Sequence, residues 1–377
     1  MTYEDAVSRC WLEVDLDAIR DNYRTARAMM GDGAKIIPVL KANAYGMNAV
    51  VVAEALRAEG AKLFAVATTD EAEQLLDNVD GIEVLPMGLA GEGAMRRLIR
   101  CGMPLTLYSE KQGKLIRSIA CELGIPARVH VKVDTGLHRL GLEACSAAET
   151  VERLCADGHI LPVGLFTHLA IHTAEMDAAQ LQLLRNVKCE LARRGVCIPL
   201  THAVDSIGMV RYPQGHMDAA RIGAWLYGVC PRNAPVQCRV PARFKARVSQ
   251  VRALPAGELI GYDDDSPLKR DSLIATVSSG YVDGTPRKGT DWQVEIRSQR
   301  ANVVGIACMD QLMIDVTDIP CVQEGDIVTF VGGIIGIDEY ADKMGSLNRN
   351  EAWARIGRRV PRIFFKEGRP VRVCAEV

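Results

Sequence analysis

The fold prediction rests on the stretch Ile36-Ile37-Pro38-Val39-Leu40-Lys41-Ala42-Asn43-Ala44-Tyr45-Gly46. A short apolar run that ends in small residues and glycine predicts a buried strand leading into a loop. Lys41 stands where this strand ends, and a lysine there is costly unless its amine is paired or chemically used. The amine could extend into solvent. It could instead be a nucleophile that forms a Schiff base with a carbonyl cofactor.

Seven further strand-like segments follow, with helical patterns between them. These seven segments lie at 62–67, 82–86, 104–108, 128–133, 163–167, 200–204 and 220–222, and residues 36–40 form the first of eight. Helices are predicted at 16–30, 69–76 and 178–193. Alternating strands and helices favour a parallel sheet with crossover helices. Eight such units over roughly 200 residues predict a (β/α)8 barrel.

Near residue 241 the pattern changes to short alternating segments separated by glycine and proline turns. These segments lie at 244–252, 272–277, 293–296, 301–307, 313–316 and 326–331. They predict a mostly antiparallel β domain. The fold class is therefore α/β, with a barrel at 12–240 followed by a β domain at 241–377. Residues 1–11 could pack with the second domain, and a strand at 10–14 could join either one.

Composition excludes several classes of function. The 377 residues are 48% hydrophobic and carry a net charge of -2, which is typical of a soluble globular protein with no affinity for nucleic acid or anionic membranes. No segment resembles a signal core or a membrane span, so a membrane anchor is expected only through a domain upstream of this sequence. The twelve cysteines form no CxxC pair or Cys/His cluster, which predicts reduced thiols, no metal site and a cytoplasmic location.

Polar and ionisable residues fall directly after the predicted barrel strands. They are Lys41 after the first strand, Lys132, Asp134 and Arg139 around the fifth, His168 after the sixth, Asp205 and Ser206 after the seventh, and Arg221 and Gly223 at the eighth. Barrel active sites lie at the C-terminal strand ends, so one face gathers all of them. Each residue also has an ordinary structural explanation, such as a helix cap for Ser206. Their joint placement favours a functional site.

These motifs, with three more in the second domain, resemble the alanine racemase family of fold-type III pyridoxal phosphate enzymes. The additional motifs are Gly261-Tyr262, Gly280-Tyr281-Val282-Asp283-Gly284 and Cys308-Met309-Asp310-Gln311. The resemblance extends from Trp11 to Arg362. It implies an isomerase with a barrel, a C-terminal β domain and pyridoxal 5'-phosphate as cofactor. It also implies a head-to-tail homodimer in which each site uses both chains.

The resemblance also implies roles for individual residues. Lys41 corresponds to the Schiff-base lysine and first catalytic base, and Tyr262 of the partner subunit to the second base. The cofactor-binding set is Lys41, Tyr45, Arg139, His168, Ser206, Arg221, Gly223, Ala224 and Asn350, with Arg221 at the pyridine nitrogen. The substrate-binding set is Arg139, Met309, Tyr281 and Asn350. Lys132 corresponds to a lysine that is carbamylated in several members.

Four positions depart from the usual family pattern. Met47-Asn48 replaces His-Gly, Asp205 replaces Asn, Ile222 replaces Pro, and Asn350 stands where a tyrosine is usual. The last departure resembles the serine racemases of vancomycin-resistance systems, whose racemase domain follows a membrane domain. Asparagine is shorter than tyrosine and offers both a donor and an acceptor, so it could accommodate the serine hydroxyl.

The predicted function is therefore a racemase of serine and alanine that supplies D-serine for peptidoglycan precursors in vancomycin resistance. Two alternatives stay open. One is an ordinary alanine racemase that supplies D-alanine for the cell wall. The other is a fold-type III decarboxylase, which would be expected to carry an acidic residue in place of Arg221.

Overall fold

A computed structural model describes residues 1–30, 33–231, 234–262, 267–287, 291–346 and 348–375. The chain divides into two compact units. The first comprises Met1–Ile19, Tyr45–Asn48 and Arg239–Val377, and the second comprises Arg20–Ala44 and Ala49–Cys238. This division reflects spatial proximity only, so the domain bounds 12–240 and 241–377 stay a prediction. Among the described residues, no helix is long and apolar enough to cross a membrane.

Strands and helices alternate along most of the chain up to residue 222. The first ten strands are β1 (Cys10–Asp15), β2 (Lys35–Pro38), β3 (Leu63–Val66), β4 (Glu83–Pro86), β5 (Leu105–Leu107), β6 (Ala127–Asp134), β7 (Leu142–Glu143), β8 (Ile160–Phe166), β9 (Thr201–His202) and β10 (Ala219–Ile222). The accompanying helices are α1 (Tyr3–Ala6), α2 (Leu16–Met29), α3 (Lys41–Tyr45), α4 (Ala49–Ala58), α5 (Thr69–Asn78), α6 (Glu92–Arg100), α7 (Glu110–Leu123), α8 (Ala147–Cys155), α9 (Ala174–Arg193) and α10 (Ser206–Arg211).

The remaining strands and helices lie after residue 241. They are β11 (Ala242–Leu254), β12 (Ser272–Val277), β13 (Gln293–Ile296), β14 (Gln299–Val304), β15 (Leu312–Asp315), β16 (Ile327–Val331), α11 (Ile337–Lys343), α12 (Arg349–Ala354), β17 (Arg362–Lys366) and β18 (Arg369–Cys374). Short 3-10 helices form at Pro213–Gly215, Ala224–Tyr227 and Tyr281–Asp283.

The second unit is a barrel of eight parallel strands. Its pairings run β2–β10–β9–β8–β6–β5, and β3 pairs with β4. A parallel bridge between Val39 and Ala65 connects the end of β2 to β3. The Thr106 hydroxyl of β5 donates to the Pro86 carbonyl of β4 at 2.8 Å. All eight strands predicted for the barrel are present, because short, fully buried apolar runs between helical segments fit this architecture.

The first unit is built on an antiparallel sheet. Strands β11, β12, β15, β14, β13 and β16 pair in a closed ring, since β11 pairs with both β12 and β16. Strand β1 adds to β11 and also pairs in parallel with β17, so the predicted strand at 10–14 belongs to this sheet. The predicted class, a barrel with a mostly antiparallel β domain, is confirmed. The sequence patterns did not predict helices α11 and α12 or strands β17 and β18.

A buried carboxylate connects distant parts of the β unit. Asp283 receives paired hydrogen bonds from Arg9 at 2.7 and 2.8 Å and from Arg359 at 2.8 and 3.2 Å. The amide of Gly280 also donates to it at 3.0 Å. Burial acts to raise the pKa of Asp283, but the bonds from Arg9, Arg359 and Gly280 hold this pKa below its ordinary value.

We expect Asp283→Asn to lower the free energy of unfolding by about 2–3 kcal/mol, because two guanidinium groups lose their buried counter-charge. The stabilisation from Asp283 is complete above the ordinary carboxyl pKa of about 4 and disappears as pH falls through the lower folded-state pKa. Urea unfolding at several pH values measures both effects. The control is Asp291→Asn, which removes an exposed ion pair with Lys343 and should change stability by less than about 0.5 kcal/mol. Equal losses in the two variants would contradict the role of Asp283.

Candidate active site

The chain directly after β2 forms a left-handed turn. In α3, Ala42, Asn43, Ala44 and Tyr45 have φ values between 53° and 55°. A left-handed conformation costs roughly 1–2 kcal/mol per non-glycine residue, so a run of four must be held by its surroundings. Backbone strain of this kind concentrates at functional sites. The sequence predicted a loop at this position and did not indicate the left-handed conformation.

Side chains of the barrel unit hold the turn in place. Glu71 of α5 accepts a hydrogen bond from the Ala42 amide at 2.6 Å. The same carboxylate accepts the amides of Ala67 and Thr68, so it connects the turn to the start of α5. The side-chain oxygen of Asn43 accepts the Ala49 amide at 2.7 Å. These bonds fix the backbone on which Lys41 is carried.

The surroundings of Lys41 favour the neutral form of its amine. Partial burial lowers the pKa of its amine below the ordinary value, and the charge of Arg139 lowers it further. The carboxylates of Asp205 and Glu71 act in the opposite direction. The amine is therefore more readily deprotonated than a free lysine, which is what a nucleophile or a general base requires.

Arg221 is buried at the end of β10 and donates to four residues around it. Its Nη1 contacts His202 Nδ1 at 2.7 Å and the His202 carbonyl at 3.2 Å. Its Nη2 contacts the carbonyls of Thr167 at 2.7 Å and Ala203 at 2.9 Å, and His168 Nδ1 at 3.0 Å. Among the described residues, no hydrogen bond uses the Nε–H group. That group is the donor of Arg221 that remains for a ligand.

Burial and nearby positive charge favour the uncharged forms of His168 and Lys132. Burial lowers the pKa of His168 to about 3, and the charges of Arg221 and Arg139 add to this effect. Burial likewise lowers the pKa of Lys132 to about 8, again with contributions from Arg139 and Arg221. The Lys132 amine lies 5.4 Å from the centre of the Phe166 ring. No ion pair of Lys132 with Asp134 is found in the described part of the chain.

Ser206 lies at the start of α10 but does not cap it. Asp205 is the cap, since its Oδ1 accepts the amides of Ile207 and Gly208 at 2.9 Å each. The Ser206 hydroxyl instead accepts the amides of Gly223 and Trp225 at 3.2 Å each. The capping explanation for Ser206 is therefore wrong, because the aspartate before it has the geometry that a cap needs. Ser206 and Gly223 are brought together at one strand end.

In the β unit, Tyr262 and Met309 are exposed, with relative exposures of 67% and 52%. Two loops of this unit lie side by side, because the amides of Tyr281 and Val282 donate to the carbonyls of Cys308 and Met309 at 3.1 and 3.3 Å. A Cβ at Gly280 would lie 2.3 Å from the Met309 carbonyl oxygen, so this close approach requires glycine. Met309 and Tyr281 are thereby carried on adjoining loops.

Helix α12 carries two buried polar atoms that have no partner among the described residues. They are the side-chain oxygen of Asn350 and the indole nitrogen of Trp353. Residues three apart on a helix are neighbours on its surface. One atom is a hydrogen-bond acceptor and the other is a donor.

The predicted site residues are thus distributed over both units. Lys41, Lys132, Arg139, His168, Ser206, Arg221, Gly223 and Ala224 belong to the barrel unit, whereas Tyr45, Tyr262, Tyr281, Met309 and Asn350 group with the β unit. Sequence reasoning missed Glu71, His130 and His202. A usable signal for His130 was its position two residues before Lys132, which puts both side chains on one face of β6.

Comparisons with known proteins agree on one family. The chain matches the family models for the N-terminal domain of alanine racemase over residues 14–231 and for its C-terminal domain over residues 242–364. Alanine racemase 1 of Caldanaerobacter subterraneus subsp. tengcongensis is 34% identical over 97% of each chain.

Solved structures agree with this result. The alanine racemase of Clostridium difficile 630 superimposes with a TM-score of 0.93 at 29% identity, covering 97% of this chain and 98% of that one. The alanine racemase of Bartonella henselae, solved with covalently bound pyridoxal phosphate, gives a TM-score of 0.84 at 25% identity, covering 95% and 100%. Because both domains match in order and a relative is 34% identical along nearly the whole length, the chain belongs to the alanine racemase family.

Proposed function

We propose that this protein is a pyridoxal 5'-phosphate-dependent racemase that interconverts L- and D-alanine and supplies D-alanine for the cell wall. The proposal rests on two residues at the same end of the barrel. Lys41 has a lowered pKa, and the buried Arg221 keeps its Nε–H group for a ligand. The Caldanaerobacter and Clostridium relatives are named alanine racemases. These names favour alanine as the main substrate over serine.

The residues at the barrel end fit this cofactor. Arg221 would donate its Nε–H to the pyridine nitrogen, which is an acceptor. The Ser206 hydroxyl and the Ala224 amide would supply hydrogen-bond donors for the phosphate, with Tyr45 proposed as a third. Gly223, whose own amide donates to the Ser206 oxygen, would let the backbone come close to the phosphate. Lys41 would hold the aldehyde carbon covalently. Three cationic groups in this region also favour an anionic ligand, namely Lys41, Arg139 and Arg221, and Lys132 is a fourth as long as it is unmodified.

When bound, the cofactor withdraws electrons from the substrate and weakens the Cα–H bond. The residues of this protein would then move the proton. Lys41 removes or returns it on one face of Cα, and Tyr262 of the partner subunit acts on the other face. Arg139 and Met309 of the partner subunit would bind the substrate carboxylate, and Tyr281 would stand at the entrance. His168 would lie beside the ring.

Arg221 sets the type of reaction in this proposal. Although burial lowers its pKa to about 10, it remains charged at neutral pH and has no acceptor atom. The pyridine nitrogen beside it would therefore stay unprotonated, which limits how far the ring stabilises negative charge. This favours proton return at Cα over decarboxylation or transamination. A decarboxylase would be expected to place a carboxylate there.

We further propose a head-to-tail homodimer in which each site takes Tyr262 and Met309 from the partner subunit. The exposure of both side chains in the β unit supports this arrangement. The domain bounds 12–240 and 241–377 and a cytoplasmic location for this domain belong to the same proposal.

A racemisation assay with one substitution tests the two-base assignment. With pyridoxal phosphate, the purified protein should convert L-alanine to D-alanine. Tyr262→Phe should lower this rate by about 10²–10⁴-fold, the usual contribution of a general acid–base group. In D2O, deuterium exchange at Cα should be lost from one enantiomer and kept for the other, because each base serves one face. Tyr3→Phe, at an exposed tyrosine outside the site, is the control. Exchange from both enantiomers at the parent rate would rule out Tyr262 as a base.

We propose that Lys132 is carbamylated. Its pKa of about 8 leaves a fraction of the amine neutral near pH 7.5, and a neutral amine adds CO2 to give a carbamate and a proton. The product is an anion beside Arg139, so repulsion between two cations becomes attraction. In ¹³C-labelled bicarbonate, the parent protein should give a carbamate carbon signal that Lys132→Met lacks. Lys35→Met, at an exposed lysine elsewhere in the barrel unit, should retain the signal. An identical spectrum for the parent and Lys132→Met would exclude the modification.

A second candidate is serine racemisation, with D-serine serving peptidoglycan precursors as in vancomycin resistance. The observation that favours it is the unpartnered pair on α12, the Asn350 oxygen and the Trp353 indole N–H. A serine hydroxyl can donate to the first and accept from the second. The likeness to vancomycin-resistance enzymes depends on Asn350 alone.

Asn350→Tyr should lower kcat/KM for serine by roughly one to two powers of ten and leave alanine much less affected, because one hydrogen bond to the hydroxyl is removed. Trp353→Phe removes the indole N–H group, together with part of the ring volume, and should shift the serine to alanine ratio in the same direction. Steady-state kinetics with both substrates on all three proteins give the ratios. Unchanged ratios in both variants would rule out the serine candidate.

A further inference from the structure

Two buried histidines continue the hydrogen-bond chain that begins at Arg221. His202 Nδ1 contacts Arg221 Nη1 at 2.7 Å, and His202 Nε2 contacts His130 Nδ1 at 2.9 Å. Both imidazoles are buried, with relative exposures of 0% for His202 and 2% for His130. The proposed racemisation mechanism uses neither of them.

The chemistry of the guanidinium fixes the tautomer of each ring. Arg221 has donors only, so His202 Nδ1 must accept. A neutral His202 then carries its proton on Nε2, and that N–H donates to His130 Nδ1. His130 must in turn carry its own proton on Nε2. Burial and the charge of Arg221 lower the pKa of both histidines, which keeps both rings neutral.

Neighbouring barrel residues pack closely against both imidazole rings. Strands β6 and β8 pair with His130 opposite Gly164. A Cβ at Gly164 would lie 2.2 Å from His130 Nδ1, so any larger residue would displace this ring. Phe166 stacks on His202 with 4.7 Å between ring centres and an angle of 13°. Both ring orientations are therefore determined by packing as well as by hydrogen bonds.

We propose that His130 is a positioning residue that acts through His202 to hold Arg221 with its Nε–H towards the cofactor nitrogen. Without an acceptor at the position of His130 Nδ1, the buried Nε2–H of His202 has no partner. The other tautomer of His202 would remove that unpaired N–H but would set an N–H against the N–H of Arg221. Either outcome weakens the contact that orients the guanidinium. This proposal rests on the proposed role of Arg221 in binding the cofactor.

Two substitutions separate positioning from packing. His130→Leu removes the acceptor and keeps an apolar side chain of moderate size. His130→Asn places an amide oxygen near the position of the original Nδ1 and is the matched control. We expect His130→Leu to raise the dissociation constant for pyridoxal phosphate about tenfold, the effect of one charge-assisted hydrogen bond, and to shift the absorbance maximum of the bound cofactor. His130→Asn should keep both values within about twofold of the parent, since an acceptor is restored.

A measurement on the parent holoenzyme reports the tautomer with His130 in place and needs a variant only for signal assignment. With ¹⁵N-labelled histidine, NMR should show His202 protonated at Nε2 and unprotonated at Nδ1, the signals being assigned by their loss in His202→Gln. An Nδ1-protonated His202, or an unchanged dissociation constant and absorbance in His130→Leu, overturns the role of His130. Equal losses in the Leu and Asn variants also overturn it. A parent protein that does not bind pyridoxal phosphate overturns the proposed function itself, which distinguishes the two failures.

Discussion

The constraint on which the barrel end depends is the burial of the Arg221 guanidinium. A buried charge is costly unless its donors are satisfied, and the N–H groups of both terminal nitrogens meet carbonyl oxygens and imidazole nitrogens instead of a carboxylate. These acceptors come from the ends of β8, β9 and the segments that follow them. The charge thus fixes several strand ends relative to one another. Because no carboxylate of the described residues pairs with it, its field reaches the histidines and lysines around it.

A second constraint is the left-handed turn that carries Lys41. Its cost is offset by hydrogen bonds that its amides donate to groups that are themselves fixed, above all the Glu71 carboxylate, which also accepts the amide of Thr68, the N-cap residue of α5. A right-handed helix could follow β2 at lower local cost, but it would point the amides of 42–45 elsewhere. The strain is therefore localised directly after Lys41, the residue that the proposed chemistry uses, as expected where surrounding structure determines an unfavourable conformation.

Much of this architecture could be predicted from the sequence. The barrel strands were found because buried parallel strands are short apolar runs, and the C-terminal strands because alternation marks a half-buried sheet. The left-handed turn was missed because only Asn43 in it has a known tolerance for that conformation. His130 and His202 were missed because a buried histidine has no distinct sequence pattern. Their importance follows from the acceptor that Arg221 needs, which only the three-dimensional arrangement reveals.

The charges at the barrel end also explain why the site favours an anionic ligand. The carboxylates that influence its cations are already committed to backbone amides: Glu71 to residues 42, 67 and 68, Asp134 to residues 136 and 138, and Asp205 to residues 207 and 208. They can offset the positive potential but are not placed to pair with the cations. As long as Lys132 is unmodified, Lys41, Lys132, Arg139 and Arg221 therefore repel one another. Burial is the main cause of the lowered pKa of the two lysines and of Arg221, and this repulsion lowers each pKa further. A ligand that brings a phosphate and a carboxylate relieves this repulsion, so the arrangement of the protein's own charges contributes part of the binding free energy.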